Sequence, residues 1–428
     1  MAHAPTANGG LRGARNAAGL GLVVGSRRQS AGARAPAHAW DRWLLAAIYG
    51  RLHGAKLRLR LWDGTSCGAP DPAATVVIYD RGALLRLAWH ADLMFGDDYA
   101  AGRIDIDGDF VALLEALFRA NPEPGAIGAQ WYLRRIIADA NALGRTRDNI
   151  HHHYDIGNAF YELWLDRELV YTCAYFPTDS ATLEQAQIAK MEHVCRKLRL
   201  RPGERVIEAG CGWGALARYM ARHYGVHVRA YNISHEQIAY ARERAAAEGL
   251  ANRVEFIEDD YRHIHGECDA FVSVGMLEHV GRQYFAAFGD VIDRVLPRDR
   301  GRGLLHFIGR NTPAPLHPWI ERRIFPGAYA PTLAEVATEV FMRARLTMLD
   351  VENLRLHYAR TLEQWLARFE TKLAQVIEMY DEPFSRAWRL YLAGSIASFT
   401  TGSLQLFQIS FAREQDNDVP WTRAELYR

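Results

Sequence analysis

A glycine-rich segment in the middle of the chain has the form of a ligand-binding turn. The run VIEAGCGWG at Val206–Gly214 begins with apolar residues that are typical of a buried strand, and helix-forming residues follow it. Gly210, Gly212 and Gly214 permit positive φ angles and let a ligand approach the backbone closely. Because the turn lies between the carboxyl end of a strand and the N-terminus of a helix, it predicts a cofactor site.

The residues around this turn favour S-adenosylmethionine over a nicotinamide dinucleotide. The glycines are spaced G-C-G-W-G, whereas dinucleotide-binding turns have the spacing G-x-G-x-x-G. Glu208 lies in the strand, at the position where methyltransferases usually have an acid that faces the cofactor. Asp260 follows the third predicted strand, where methyltransferases hold the adenine amine. A tight turn without any ligand is the alternative interpretation.

The end of the second predicted strand departs from the usual methyltransferase pattern. An acid commonly binds the ribose hydroxyls there, but the segment YNISHEQ has Asn232 at that position. An amide can form a hydrogen bond with a hydroxyl group, although this bond is weaker than one to a carboxylate. The position therefore distinguishes this chain from common methyltransferases.

A second set of polar residues lies where a substrate would react. The run VGMLEHVG follows the fourth predicted strand and contains Glu278 and His279, and LLHFIG places His306 in the fifth. Because the carboxyl ends of parallel strands share one edge of a sheet, we expect Glu278 and His306 at the ligand-bearing edge. An ordinary buried core histidine is the alternative for His306.

An aromatic-rich segment upstream is only partly explained by an amphipathic helix. Phe160, Leu163 and Trp164 suit the apolar face of such a helix, but the run YTCAY at Tyr171–Tyr175 does not. The consecutive histidines His151–His153 do not predict a metal site, because adjacent side chains do not converge on one point. We therefore expect no metal ion.

Strands and helices alternate along the second half of the chain, which predicts an α/β fold with a doubly wound parallel sheet. The predicted strands are Arg205–Gly210, Val226–Tyr231, Arg253–Asp260, Asp269–Gly275 and Leu304–Gly309. Helices are predicted at Ala215–Tyr224 and His235–Gly249, and one more strand at Gln405–Arg413. This is the arrangement of a class I, Rossmann-like methyltransferase domain.

Changes in composition divide the chain into four parts. Residues 1–36 form a basic tail with five arginines and no acid, which we expect to be disordered; weak attraction to an anionic membrane is the alternative. Residues 37–119 predict a small α+β domain, residues 120–150 a linker, and residues 151–428 the catalytic domain. Within the small domain we predict strands at Lys56–Trp62, Thr75–Tyr79 and Ala83–Trp89 and a helix at Phe110–Phe118.

The overall composition argues against several classes of protein. The 428 residues include 51 Lys and Arg and 50 Asp and Glu, so the basic excess of a dedicated nucleic-acid binder is missing. The five cysteines include no C-x-x-C pair, which disfavours a disulfide scaffold or a structural zinc site and favours the cytoplasm. No apolar run approaches the roughly 20 residues that span a bilayer, and GLGLVVG at Gly19–Gly25 does not have the form of a signal peptide.

Taken together, these segments resemble the cyclopropane-fatty-acid-phospholipid synthases and the related mycolic acid cyclopropane synthases. The similarity is close over residues 154–329 and extends loosely to the final strand. It is carried by HYDIGNAFYELWLD, YTCAYF, LEQAQIAKMEHVCRKL, VIEAGCGWG, ISHEQ, DDYR, VSVGMLEHVG, LLHFIG and PWIERRIFPGAY. The segment MFGDDYAAGRIDIDGD at Met94–Asp109 is similar to the lipid-handling domain of the phospholipid enzymes, which the mycolate enzymes lack.

The resemblance implies two ligand sites. With Glu208, the residues that would bind S-adenosylmethionine are Tyr171, Thr172, Gly210, Gly212, Asn232, Gln237, Asp260 and Tyr261. The residues that would bind a bicarbonate ion are Cys173, Glu278, His306, Ile308 through its backbone, and Tyr358.

The implied activity is formation of a cyclopropane ring in an unsaturated acyl chain of a membrane phospholipid. A methyl group would be added to the cis double bond, and bicarbonate would remove a proton from the resulting carbocation. Tyr171, Tyr175 and Phe176 would stabilise the cation, and the segment Trp319–Tyr329 would form a wall of the acyl tunnel. The resemblance also implies peripheral contact with the inner face of the cell membrane and a homodimer.

Three other functions remain open from the sequence. The same acyl chain could receive a methyl or methylene branch, or a small amine could be N-methylated, as in plant-type N-methyltransferases that resemble this family. A lipid- or cofactor-binding protein without catalysis is the third alternative. The combination of Cys173, His306 and Tyr358 with the N-terminal domain favours a lipid substrate.

Overall fold

Two sheets organise the computed structural model, which describes residues 35–52, 54–120 and 157–427. The strands are β1 (Leu57–Arg60), β2 (Ser66–Gly68), β3 (Ala74–Ile78), β4 (Ile104–Gly108), β5 (Arg205–Ala209), β6 (His227–Asn232), β7 (Val254–Glu258), β8 (Ala270–Val274), β9 (Arg302–Gly309), β10 (Leu346–Asn353) and β11 (Gln405–Arg413). The helices are α1 (Ala39–Gly50), α2 (Arg81–Ala100), α3 (Phe110–Ala120), α4 (Asn158–Glu162), α5 (Leu183–Leu198), α6 (Ala215–Tyr224), α7 (His235–Ala247), α8 (Leu277–Val280), α9 (Phe285–Val295), α10 (Pro318–Arg323), α11 (Leu333–Val336), α12 (Arg355–Thr371), α13 (Leu373–Met379) and α14 (Glu382–Thr401). A π-helical turn follows α11 at Ala337–Met342.

The larger sheet has the strand order β10-β11-β9-β8-β5-β6-β7. Strands β5 to β9 run parallel, and β11 runs antiparallel between β9 and β10. The chain leaves β5 toward β7 on one side and returns through β8 and β9 on the other, so a crevice lies at the carboxyl ends of β5 and β8. The predicted doubly wound α/β class is confirmed, although the sheet is mixed because its last two strands form antiparallel pairs.

One predicted element is wrong, and one strand was not predicted. Ala83–Trp89 is not a strand but part of α2, which Asp80 caps by accepting a hydrogen bond from Ala83 N at 2.8 Å. Ala83, Leu84 and Leu87 are buried while Leu85 and Trp89 are exposed, which is the period of a helix. The edge strand β10 was not predicted, because most of its side chains are exposed and its apolar residues do not alternate.

The smaller sheet, of order β2-β1-β3-β4, packs with α1, α2 and α3 and contacts the catalytic part through α14. Arg386 of α14 donates to the carbonyl oxygens of Tyr99 and Ile104 at 2.6 and 2.9 Å, and Thr400 donates to Glu115 at 2.7 Å. Most of the predicted tail 1–36 and linker 120–150, and all of His151–His153, lie outside the described residues. None of the described helices is long and apolar enough to cross a membrane.

Helix α2 is kinked at His90, where φ is −150° and ψ is 63°. Arg51, just after α1, donates from Nη1 to the carbonyl oxygen of Ala88 at 3.3 Å. In a regular helix this carbonyl would accept from the N–H of Asp92. Arg51 therefore stabilises the kink in α2 and connects α2 to the end of α1.

Replacement of Gly96 by Ala is expected to weaken the contact between α2 and α10. A Cβ at this position would overlap the indole ring of Trp319, which donates to Asp97 at 3.2 Å. We expect the free energy of unfolding to fall by about 1–3 kcal/mol because of overpacking, measured by urea denaturation. Gly50→Ala is the matched control, because a Cβ there meets no heavy atom within 4 Å. Equal stability of the two variants would contradict this contact.

Candidate active site

The turn after β5 has the backbone geometry of a ligand cradle. Gly210, Gly212 and Gly214 have φ angles of 83°, 52° and 78°. The N–H of Gly210 donates to the carbonyl oxygen of Tyr231 at 2.9 Å, which fixes the turn against β6. A Cβ at Gly214 would overlap Phe256, whereas a Cβ at Gly212 would meet no heavy atom within 4 Å. Gly214 is thus required for packing, while Gly212 borders open space that a ligand can enter.

Two of the residues expected to bind the cofactor, Asn232 and Gln237, contact each other beside this turn. Asn232 donates from Nδ2 to Gln237 Oε1 at 2.6 Å and to the carbonyl oxygen of Gly212 at 3.4 Å. Glu208 is buried in β5, and its Oε2 has no hydrogen-bond partner among the described residues. Burial raises the pKa of Glu208 to about 7, against the opposing charge of Lys190.

The two predicted cofactor residues that follow β7, Asp260 and Tyr261, differ in their hydrogen bonding. Arg262 donates to both carboxylate oxygens of Asp260 at 2.8 Å. Tyr261 is buried against Phe288, and its hydroxyl has no partner within the described part of the chain. The unpartnered oxygens of Glu208 and Tyr261 and the open face of Gly212 suit a ligand with several polar groups, so these residues fit S-adenosylmethionine.

The YTC segment is held in place by α5. Gln187 donates to the carbonyl oxygen of Thr172 at 2.9 Å, and Lys190 donates from Nζ to Thr172 Oγ1 at 3.1 Å. Burial lowers the pKa of Lys190 to about 8. Thr172 also packs over Gly275, where a Cβ would lie 2.7 Å from its methyl carbon. These contacts fix the segment at the carboxyl end of β8.

A cavity of about 390 Å³ lies between this edge of the sheet and the surrounding helices. It is lined by seven of the predicted site residues, namely Tyr171, Thr172, Cys173, Glu278, His306, Ile308 and Tyr358. The predicted cofactor residues Glu208, Gly210, Gly212, Asn232, Gln237, Asp260 and Tyr261 do not line it. Most of the remaining wall is apolar and comes from α1, α2, α3, α10, α12 and α14. The predicted residues therefore form two groups, with the YTC segment bordering the second.

Glu278 and His306 form the polar end of the cavity. Ile308 donates its N–H to Glu278 Oε1 at 3.3 Å, but Glu278 Oε2 and His306 Nε2 have no partner among the described residues. Burial raises the pKa of Glu278 to about 7 and lowers the pKa of His306 to about 3. Both groups are therefore neutral over a range of pH below 7.

Gln408 of β11 sets the proton position on His306. Its amide nitrogen lies 3.1 Å from His306 Nδ1. When the amide donates to Nδ1, the ring proton is on Nε2, so that His306 presents an N–H donor. Buried polar atoms nearly always have partners, and two donors from Glu278 and His306 suit an anion. The residues present thus fit a bicarbonate ion.

Cys173 and Tyr358 complete this end of the cavity. The Sγ atom of Cys173 lies 3.2 Å from the carbonyl oxygen of Ala174 and 3.9 Å from that of Leu354. Burial raises the pKa of Cys173, so the side chain is a thiol and not a thiolate. The ring of Tyr358 packs against Phe399, with centroids 4.7 Å apart. The whole group is neutral and largely dry.

Two of the three aromatic residues expected to stabilise a cation do not line the cavity. Tyr171 lines it, with its hydroxyl 2.8 Å from that of Tyr391. Tyr175 instead stacks between His193 and His357 at 4.4 and 4.8 Å. Phe176 packs below the guanidinium group of Arg360 at 4.4 Å. Their predicted role is therefore wrong, because these two rings are engaged away from the cavity.

Four residues of the site were not predicted, although the sequence carries a signal for three of them. Lys190 is a charged residue among the regularly spaced apolar residues of LEQAQIAKMEHVCRKL, which form the buried side of α5. Gln408 is a polar residue inside a strand whose nine residues are all buried. Arg310 lies two and four residues after Ile308 and His306, on the same side of an extended chain. Tyr391 of α14 had no signal, since its position depends on tertiary packing.

Comparison with known proteins supports one family. A family model described as mycolic acid cyclopropane synthetase matches residues 142–409. A probable fatty acid methyltransferase of Pseudomonas putida is 37% identical over 390 residues, which cover 87% of this chain and 96% of the relative. The cyclopropane-fatty-acyl-phospholipid synthase of Escherichia coli K12 is 39% identical over 62% of this chain and 68% of its own length. The solved structure of mycolic acid cyclopropane synthase CmaA1 with SAH and CTAB is 30% identical, has a TM-score of 0.60, and covers 62% of this chain and 98% of its own.

The pH dependence of stability is expected to differ between the wild type and Glu278→Gln. Because burial raises the pKa of Glu278 from 4.5 to about 7, the folded chain keeps a proton that the unfolded chain loses. The wild-type free energy of unfolding should fall by roughly 3 kcal/mol between these pH values, at about 1.4 kcal/mol per pKa unit. The variant does not titrate at this position. Its free energy of unfolding, measured in urea titrations, should therefore increase relative to that of the wild type across this pH range. Parallel pH profiles would show that the carboxyl group is ionised in the folded chain.

Proposed function

The chain belongs to the mycolic acid cyclopropane synthetase family of S-adenosylmethionine-dependent methyltransferases, and from this premise we propose that it forms cyclopropane rings in unsaturated acyl chains of membrane phospholipids. In this reaction the cis double bond gains one carbon from the methyl group of S-adenosylmethionine, and one proton leaves. The observation that carries the proposal is the pair of unpartnered atoms Glu278 Oε2 and His306 Nε2 in the wall of an otherwise apolar cavity.

The shape and lining of the cavity support an acyl chain as the substrate. Its wall includes Leu52, Phe118, Trp319 and Leu362, which come from four different helices or helix ends. A hydrocarbon chain in this space would exclude water from the reacting carbons. A small amine would leave most of this apolar space unfilled, so the cavity supports the lipid over N-methylation.

The residues at the polar end have roles that follow from their charge state. When bound, S-adenosylmethionine supplies an electrophilic methyl group, and bicarbonate supplies a base. Glu278 and His306, both neutral, donate hydrogen bonds to the anion and hold its negative charge beside the positive charge that develops on the acyl chain. Tyr171 and Tyr358 present aromatic rings that stabilise this positive charge and keep out water.

A branched product is the second candidate. The Pseudomonas putida relative, which this chain covers over 96% of its length, is described as a probable fatty acid methyltransferase. Loss of the proton from a neighbouring chain carbon, and not from the new methyl group, would give a methyl branch beside an internal double bond. The position of the base relative to the two carbons decides between these outcomes.

The exposed aromatic residues of α1 and α2 support peripheral contact with a membrane. Trp40, Trp43 and Trp89 are 52%, 63% and 87% exposed, and together with the exposed Arg42 we name them the tryptophan face. Tryptophan is enriched where proteins meet the membrane–water interface. The one acid of α1, Asp41, is buried and paired with Arg81 at 2.6 Å, so α1 presents no exposed negative charge.

The two helices that carry the tryptophan face also line the cavity. Ile48 and Leu52 line the cavity at the end of α1, and Ala91 and Asp92 line it just after the kink in α2. We therefore propose that this face docks on the anionic inner surface of the cell membrane, with the protein in the cytoplasm. An acyl chain would then pass between α1 and α2 without crossing water.

Assay of the lipid product tests the proposed reaction. Purified protein is incubated with S-adenosylmethionine and vesicles of a monounsaturated phospholipid, and the fatty esters are examined by mass spectrometry and proton NMR. We expect an ester heavier by one CH2 group, with upfield ring protons; an ester of the same mass with a new branch-methyl signal and no ring protons would instead identify the branched product. Glu278→Gln should bind the cofactor but lose about 100-fold or more in turnover. Glu321→Gln, which changes an acid that does not line the cavity, is the control.

The absence of any heavier ester would refute the proposed reaction. Equal turnover of wild type and Glu278→Gln would refute the role of this residue.

Triple replacement of Trp40, Trp43 and Trp89 by Ser tests the tryptophan face. We expect sedimentation with phosphatidylglycerol–phosphatidylcholine vesicles to weaken at least about tenfold, because interfacial aromatic contacts are lost. Trp421→Ser is the matched control, because Trp421 is fully exposed on a different part of the chain. Unchanged vesicle binding by the triple variant would contradict the docking surface. This holds whether or not ultracentrifugation shows that the substitutions dissociate a dimer.

A further inference from the structure

Arg310 is a buried cation for which the proposed reaction has no use. It follows β9 in an extended conformation, with its N–H donating to the carbonyl oxygen of Pro331 at 2.9 Å. The residue is 7% exposed and lines the cavity that contains Glu278 and His306. It also lines an adjoining, more open pocket with Arg282.

No opposite charge compensates Arg310 within the described part of the chain. Its Nε atom has no hydrogen-bond partner, and no carboxylate lies within ion-pair distance of the guanidinium group. Burial lowers its pKa to about 10, so the group stays charged at neutral pH. Arginine side chains are rarely buried without a partner, since an unpaired buried charge costs free energy. The position therefore calls for an anion from outside the chain.

The neighbouring acids do not supply this anion. Glu335 lines the adjoining pocket, but it accepts hydrogen bonds from Thr332 N at 2.8 Å and Tyr329 Oη at 2.9 Å and pairs with Arg282 at 3.2 Å. Asp92 of α2 is exposed and lines the cavity. Its charge raises the pKa of His317, although burial lowers this pKa by more. Neither these acids nor Glu339, which also lines the adjoining pocket, affect the pKa of Arg310, so they do not offset its positive charge.

We propose that Arg310 binds the oxyanion of the lipid substrate, either the phosphate of a phospholipid or the carboxylate of a free fatty acid. This proposal rests on the proposed function and specifies how that site holds its substrate. The guanidinium group matches such oxyanions with two parallel hydrogen bonds. An apolar wall for the acyl chain continues from the same point.

The distance between Arg310 and His306 predicts which bond of the acyl chain would react. His306 and Arg310 are four residues apart in an extended chain, which corresponds to about 13 Å. A lipid held by its head group at Arg310 would therefore present a bond in the middle of its acyl chain to Glu278 and His306. Arg310 is thus a specificity-determining residue, separate from the groups that touch the reacting carbons.

Kinetics of Arg310→Gln with charged and uncharged lipids test the anchor. The substrates are a monounsaturated phospholipid, sodium oleate and methyl oleate, each in mixed detergent micelles with S-adenosylmethionine. We expect KM to rise about 10-fold or more for an oxyanion substrate and to stay constant for methyl oleate, since a charge-assisted contact is lost. A change with phospholipid alone identifies the phosphate, and a change with oleate alone identifies the carboxylate. Arg343→Gln, which removes an exposed arginine paired with Asp290, is the control.

A binding measurement keeps this test independent of turnover. Without S-adenosylmethionine, dodecyl phosphate or sodium laurate should raise the Tm of the wild type more than dodecanol does, and Arg310→Gln should remove the difference. The variant itself should melt no lower than the wild type, because it lacks the unpaired buried charge. Loss of stability in the variant, or equal effects of charged and uncharged lipids, would overturn the proposal. If no methyl product forms but the anion effect is present, the proposed function fails and the anion site stands.

Discussion

Two polar side chains are buried in a largely apolar cavity, and each has one atom without a hydrogen-bond partner among the described residues. This burial is the physical constraint on which the molecule depends. Removing Glu278 and His306 from water costs free energy unless they are neutral or hydrogen-bonded. Burial shifts both pKa values toward the neutral forms, and Ile308 and Gln408 each satisfy one atom. The other two atoms, Glu278 Oε2 and His306 Nε2, have no partner among the described residues. They can therefore form hydrogen bonds with a ligand at this end of the cavity.

The YTC segment connects α5 and the end of β8 to the cavity. Thr172 is held by Gln187 and Lys190 of α5 and packs over Gly275 at the end of β8. Thr172 and the next residue, Cys173, both line the cavity. The contacts that hold Thr172 therefore also fix this part of the cavity wall. The buried Lys190, whose pKa is lowered by burial, lies at the centre of this connection.

The sequence predicted those parts of the fold that depend on local patterns. The turn at Val206–Gly214 and the alternation of strands and helices are such patterns, and the parallel strands lie where they were expected. Ala83–Trp89 was mistaken for a strand because a short apolar run has no clear period. The wall formed by Trp319–Tyr329 was predicted, and both of these residues line the cavity. The wall at Leu52 and Phe118 could not be predicted, since these residues reach it only through tertiary packing. Tyr175 and Phe176 show that neighbours in a motif need not face the same space.

Strand β11, which contacts His306, is synthesised after the other residues of the polar end of the cavity. It inserts between β9 and β10, all nine of its residues are buried, and it carries the amide that orients His306. A nascent chain emerging from the ribosome has already exposed the glycine turn, Glu278 and His306 by the time this strand is made. Until β11 pairs with β9, the histidine has no fixed tautomer and the sheet has an open apolar edge. Assembly of the polar end of the cavity is therefore coupled to synthesis of β11, so chains that end before this strand lack the amide that contacts His306.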